Sequence, residues 1–253
     1  MIDSNESPKE KIIKSKKRIQ NHGEVFTPKR IVKKMLDLPN IREACQNLTS
    51  TFLEPAAGEG TFLVEVLNRK MNMVVKNYGD NITRYENYSL LALSTLYGVE
   101  LLEDNAQKCV MNMYQCYYES YQQQAFQHGT KVKDKVLRSA KLIISNNIAQ
   151  GNSLTKTSPD GKPIVFSEWH PVNLTRTPKT IKVQRTEYTL EEILTGKEKE
   201  KGEPVTHSDR VKQLDFFDIL EDEELIEIKE KKMKYIPVKF IDVYKEEMEE
   251  VDG

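Results

Sequence analysis

The chain has 253 residues, 30% of them charged, yet its net charge is only −1. That length allows one large or two small domains with a genuine core, and the charge balance excludes a molecule that binds polyanions by bulk charge alone. Three cysteines (Cys45, Cys109, Cys116) without a CxxC pair argue against a disulfide framework or a structural zinc site, and no run approaches the length of a membrane span, so a cytoplasmic protein without a signal peptide is expected.

Residues 1–21 read as a basic arm. The first 34 residues carry Lys9, Lys11, Lys14, Lys16, Lys17, Arg18, Lys29, Arg30, Lys33 and Lys34 against four acids. Such a run suits phosphate contact and equally a solvated terminus. Thr27 and Pro28 then supply an N-cap and a first-turn proline, and Ile31, Val32, Met35 and Leu36 recur at helical spacing, predicting a helix over residues 28–38.

The stretch TFLEPAAGEGTFL, residues 51–63, reads as strand, glycine turn and helix. Glycines let the backbone take positive φ and let a ligand lie against bare peptide groups. Thr61-Phe62 stands where a Walker loop needs Lys-Ser/Thr, and GEG followed by TFL lacks the third glycine of a dinucleotide fingerprint. The acid before the turn suits a ligand with a positive centre; the plain alternative is an ordinary strand-to-helix turn.

Phe62, Leu63, Val66, Leu67 and Met71 place an apolar stripe on the following helix. A helix is expected over 85–96, a buried strand over 97–101, and a long helix over 103–126 whose tyrosines line the core. A basic helix over 131–145 leads to a short strand at 147–150. Alternating strands and helices predict an α/β fold with a parallel sheet covered on both faces and ligands at the carboxyl ends of its strands. Beyond residue 155 come a turn at 157–161, a strand over 163–169, polar chain over 171–185 and a charged loop over 195–210. The acidic tail holds an apolar patch (Leu214, Phe216, Phe217, Ile219, Leu220) and a late strand over 235–244, or is a segment that a partner orders.

Three strand ends now carry Glu54, Glu100 and Asn152 in chain order. In a parallel sheet they lie side by side, and a carboxylate at the second accepts both hydroxyls of a ribose.

The segments GEVFTP (23–28), EPAAGEGTFL (54–63), YGVELLEDN (97–105) and NIAQGNSL (147–154) resemble the S-adenosylmethionine-binding half of adenine-specific DNA N6-methyltransferases of restriction–modification systems, in the gamma-type order. The resemblance spans about residues 22–170 and implies a Rossmann-like methyltransferase fold, complete or incomplete, followed by an acidic extension over 171–253. It also implies S-adenosylmethionine as cofactor and DNA as substrate. Thr27 would lie near the cofactor's carboxylate; Glu54, Pro55, Ala56, Gly58, Gly60 and Phe62 around its methionine moiety and the turn; Glu100 on the ribose hydroxyls; and Asn152, where the family usually has Asp, at the adenine amino group.

The family's Asn/Asp-Pro-Pro-Tyr/Phe motif, which grips the target amine and stacks on the flipped base, is absent from the sequence. Ser167 and Trp169, after the strand, are the positional candidates for catalysis, with a core tryptophan as the alternative. The leading expectation is a DNA adenine N6-methyltransferase or a subunit of one. The second is a catalytically silent cofactor-binding module that needs a partner for catalysis and DNA recognition, and the third is a small-molecule or RNA methyltransferase on the same fold.

Overall fold

The computed structural model of the chain describes residues 13–175, 177–205 and 233–251. Its centre is a three-stranded parallel sheet in the order β1 (Phe52–Glu54), β2 (Leu96–Glu100), β3 (Ile148–Gln150). Parallel strands need long crossovers, and helices supply them: α4 (Thr61–Tyr78) and α5 (Ile82–Leu93) between the first two strands, α6 (Glu103–Gln127) and α7 (Asp134–Asn147) between the next two. Three short helices precede the sheet: α1 (Lys16–His22), α2 (Lys29–Leu36) and α3 (Pro39–Gln46).

Alternation along β2 divides the core. Leu96 and Ile148 join Leu63, Val66, Leu67 and the tyrosines of α5 and α6 in the main cluster. The tyrosine stripe of α6 is interior at two of its four positions: the Tyr117 hydroxyl meets Ser89 at 3.0 Å and Tyr121 donates to Glu86 at 2.7 Å, while Tyr114 and Tyr118 are only partly buried. Tyr97 and Val99 face a second cluster with Ile164, Phe166 and Leu190, so this side of β2 is covered by an antiparallel hairpin. That hairpin pairs β4 (Val165–Pro171) with β5 (Lys182–Thr189), from which α8 (Leu190–Thr195) continues.

Lys70 of α4 is fully buried and donates to the carbonyls of Asn47 (2.8 Å) and Ser50 (2.9 Å). It thereby fixes the chain entering β1 relative to the helix leaving it. Burial lowers its pKa to about 8. On its other side β1 has no strand neighbour among the described residues, and Leu53 is 41% exposed there.

Several boundaries correct the sequence expectations. Thr27 is not the N-cap of α2: Pro28 holds that place in an extended conformation, with no side-chain cap bond. The helix expected from 85 starts at Ile82 because Asn81 caps it, its side chain accepting from the Arg84 N–H. The helix expected from 131 starts at Asp134 and runs to Asn147, so the third strand opens one residue later than expected. The region 171–185, read only as polar chain, contains the start of β5. The late strand is interrupted at Pro237: β6 (Met233–Tyr235) and β7 (Val238–Lys239) flank it. The chain then turns into a 3-10 helix, Phe240–Lys245, that buries Phe240, Ile241 and Val243, and β8 (Met248–Glu250) pairs back on β6. The patch around Leu214–Leu220 lies outside the described residues. Among the described residues no helix is long and apolar enough to cross a membrane.

Candidate functional site

The glycine turn after β1 is tied to the end of β2 by two hydrogen bonds. The Ala57 N–H donates to the Val99 carbonyl at 2.9 Å, and the Gly58 N–H donates to Glu100 Oε2 at 2.7 Å. Gly58 and Gly60 have φ of 55° and 84°. At Gly60, the N-cap of α4, an added Cβ would lie 2.7 Å from Cys109 Sγ, so conformation and space both require glycine there.

Glu100 is 7% exposed and accepts from three donors: Gly58, the Leu102 N–H (3.0 Å) and Asn105 Nδ2 (3.3 Å). These contacts hold its carboxylate at the carboxyl end of the middle strand. Glu54, at the end of the neighbouring strand, is placed differently. Burial pushes its carboxyl above the usual range, the Ala56 backbone N–H offsets only part of that, and no cation pairs with it among the described residues. At the third strand end, Asn152 Oδ1 accepts from the Leu154 N–H at 2.9 Å and folds its own loop into an Asx turn.

These groups border one open cleft of about 490 Å³, within the range of small-molecule and cofactor sites. Of the residues singled out from sequence, Thr27, Glu54, Pro55, Ala56, Gly58, Phe62, Glu100 and Asn152 line it. Gly60 does not; it serves the turn from below. Ser167 and Trp169 are elsewhere. Ser167 is 1% exposed, and its Oγ accepts from Arg185 Nε at 2.8 Å. Trp169 is 5% exposed, donates to Asn147 Oδ1 at 3.1 Å and stacks near Phe240, which is the core reading of that tryptophan.

Sequence reasoning assigned no role to Glu24, Phe26 and Asn105, although all three lie inside the quoted segments and line the cleft. The Phe26 ring covers Gly58, and Asn105 Nδ2 donates to Glu24 Oε1 at 2.7 Å. The signal for the last pair was available: an acid inside the 23–28 segment and an amide at the end of the 97–105 segment.

A family model described as N-6 DNA methylase matches residues 11–155, more than half of the chain. The matched region contains the whole parallel sheet and every residue named as lining the cleft. No curated protein and no solved structure matches the chain.

Proposed function

Because the chain belongs to the N-6 DNA methylase family, we propose that it is an S-adenosylmethionine-dependent DNA adenine N6-methyltransferase, or the cofactor-binding subunit of one, in a restriction–modification system. The observation that carries this reading is the half-buried Glu54, without a cation among the described residues, facing the same cleft as the anchored Glu100. A buried carboxylate without a cation favours a ligand that brings one, and S-adenosylmethionine has both a sulfonium and an ammonium.

The other residues divide the remaining work. The three donors to Glu100 occupy three of about four acceptor directions on a carboxylate, and the one left over suits a single ribose hydroxyl rather than the pair expected from sequence. Gly58 keeps the turn thin enough for the Phe26 ring to lie against it, which makes that ring part of the cleft wall. Asn152, one strand further along, suits the edge of an adenine ring. When bound, the cofactor supplies an electrophilic methyl group for the amine of a target adenine, and the chain contributes orientation and exclusion of water.

A second reading is favoured by one arrangement. Ser167 and Trp169 are locked in the core, while the strand carrying the glycine turn is an open edge among the described residues. In this reading the chain binds cofactor, and a partner chain supplies the groups that grip the target base. Calorimetric titration with S-adenosylmethionine tests the common premise; absence of binding sinks both readings. Transfer of radiolabelled methyl to adenine-containing duplex DNA then separates them. Incorporation by the chain alone establishes the first reading, and binding without incorporation until a partner is added establishes the second.

A further inference from the structure

In the described part of the basic arm, Lys14 and Arg18 are engaged by acids of their own chain. Arg18 makes a two-pronged bond to Glu24, Nε to Oε2 at 2.6 Å and Nη2 to Oε1 at 2.7 Å, and a second one to Asp104 at 2.9 and 3.0 Å. Lys14 contacts Asp104 at 2.9 Å, Glu59 at 3.0 Å and the Asn105 side-chain oxygen. The Arg18–Glu24 pair is not an ordinary surface pair, because the Glu24 side chain is only 7% exposed and lines the cleft, whereas Asp104 is half exposed.

From Glu24 the contacts run inward. Glu24 Oε1 accepts from Asn105 Nδ2 at 2.7 Å, and the same Nδ2 reaches Glu100 Oε1 at 3.3 Å. Asn105 is almost fully buried, and Lys14 occupies its oxygen, so its nitrogen is held facing both carboxylates. Two carboxylates sharing one amide repel each other unless one is neutralised from outside. Arg18 supplies that neutralisation at Glu24.

We propose that Arg18 is a positioning residue of the cofactor site, acting through Glu24 and Asn105 to set the Glu100 carboxylate against a ribose hydroxyl. The proposal rests on the reading of the cleft as an S-adenosylmethionine site. It assigns Arg18 a task distinct from phosphate contact: three side chains, Glu24, Asn105 and Glu100, stand between its guanidinium and the ribose position, and Arg18 itself does not line the cleft. A planar fork suits this task better than an ammonium, since one group must satisfy Glu24 and Asp104 together.

The test is calorimetry with two ligands, S-adenosylmethionine and its 2′,3′-dideoxyribosyl analogue, on the wild-type chain, Arg18→Met, Arg18→Lys and Glu100→Gln. Arg18→Met is expected to weaken S-adenosylmethionine about tenfold and to leave the dideoxy analogue within about twofold. Arg18→Lys should restore part of the loss, and adding Arg18→Met to Glu100→Gln should cost little more than Glu100→Gln alone. Equal weakening of both ligands overturns the proposal, because an arm that merely stabilises the cleft does not distinguish a hydroxyl. So do additive effects in the double variant. If Arg18→Met fails to fold, Glu24→Gln cuts the same link from its other end and must show the same ligand selectivity. A wild-type chain that binds neither ligand removes the cofactor reading itself, an outcome distinct from wild-type binding with an unselective Arg18 variant.

Discussion

The hairpin region and the cleft each bury charge, and they handle it in opposite ways. In the hairpin, Arg185 of β5 bonds Ser167 (2.8 Å), Asn146 (2.5 Å), Glu187 (2.7 Å) and Glu246, and lies over the rings of Trp169 and Tyr235. Glu187 is satisfied in turn by the Tyr235 hydroxyl at 2.9 Å and the Val205 N–H at 3.0 Å. At the cleft, Glu54 has one backbone donor and no cation among the described residues. A saturated buried network is how a chain fixes its own fold, and an unsaturated group beside a cavity is how it keeps an interaction for something else. Trp169 and Ser167 belong to the first kind, their polar atoms already bonded to Asn147 and Arg185.

The contrast breaks most visibly at Arg185. Replacing it by Met strands Glu187 without its cation, and loss of one partner from a buried pair costs about 3–5 kcal/mol. A matching fall in the urea midpoint is expected, with unchanged S-adenosylmethionine affinity in the protein that remains folded. Altered affinity at full stability would place the network in the site instead.

The two glycines of the turn sharpen the comparison at a smaller scale. Gly60→Ala combines a left-handed backbone with a clash against Cys109 and should destabilise by about 2–3 kcal/mol. Gly58→Ala shares the backbone cost but meets only the Phe26 ring, at 3.3 Å. About 1 kcal/mol is expected there, with the larger effect falling on ligand affinity. Thermal melts with and without S-adenosylmethionine resolve the two.

The cofactor-side half was legible because its signals are local. An apolar strand, a glycine turn and a periodic helix occupy consecutive residues, and parallel pairing then brings Glu54, Glu100 and Asn152 to one cleft. Strand β5 was not legible for the opposite reason. Its Arg185 and Glu187 have the composition of a solvated loop, and only partners 18 to 61 residues away, Ser167 and Glu246 among them, make their burial tolerable. The basic arm misleads in the same way: Lys14 and Arg18 look free for phosphate until Asp104, some 86 to 90 residues on, is folded against them. Thr27 marked the start of a helix correctly to within a residue, but Pro28 took the cap and left the threonine in the cleft.

Glu54 links the comparison to pH. Its folded carboxyl titrates above the ordinary value because burial disfavours the charge. Between the unfolded and the folded value the native chain therefore holds a proton that the unfolded chain has lost. Its contribution to stability is fully present below the unfolded value and is lost as pH rises through the folded one. A cationic ligand acts in the reverse sense and binds better as Glu54 ionises. Glu54→Gln is thus expected to remove this loss of stability with rising pH and to weaken S-adenosylmethionine about tenfold at pH 7.5, with a smaller difference at pH 5. Affinity that is independent of pH in the wild-type chain would remove Glu54 from the site.

The smallest effect is expected at Asn152, where hydrogen-bond sense rather than charge decides. Its Oδ1 is taken by the Leu154 N–H, and its Nδ2 has no partner among the described residues. The polar group left over is therefore a donor, whereas the adenine amino group is also a donor. Asn152→Asp keeps the Asx turn through one oxygen and provides a second as an acceptor. An affinity gain of about 1 kcal/mol for S-adenosylmethionine follows, with little change in the thermal midpoint. A ligand carrying a purine without the 6-amino group should gain nothing, because the new oxygen finds no hydrogen to accept. Equal gains for both purines would mean that the added charge acts at a distance, and that Asn152 does not meet the adenine edge.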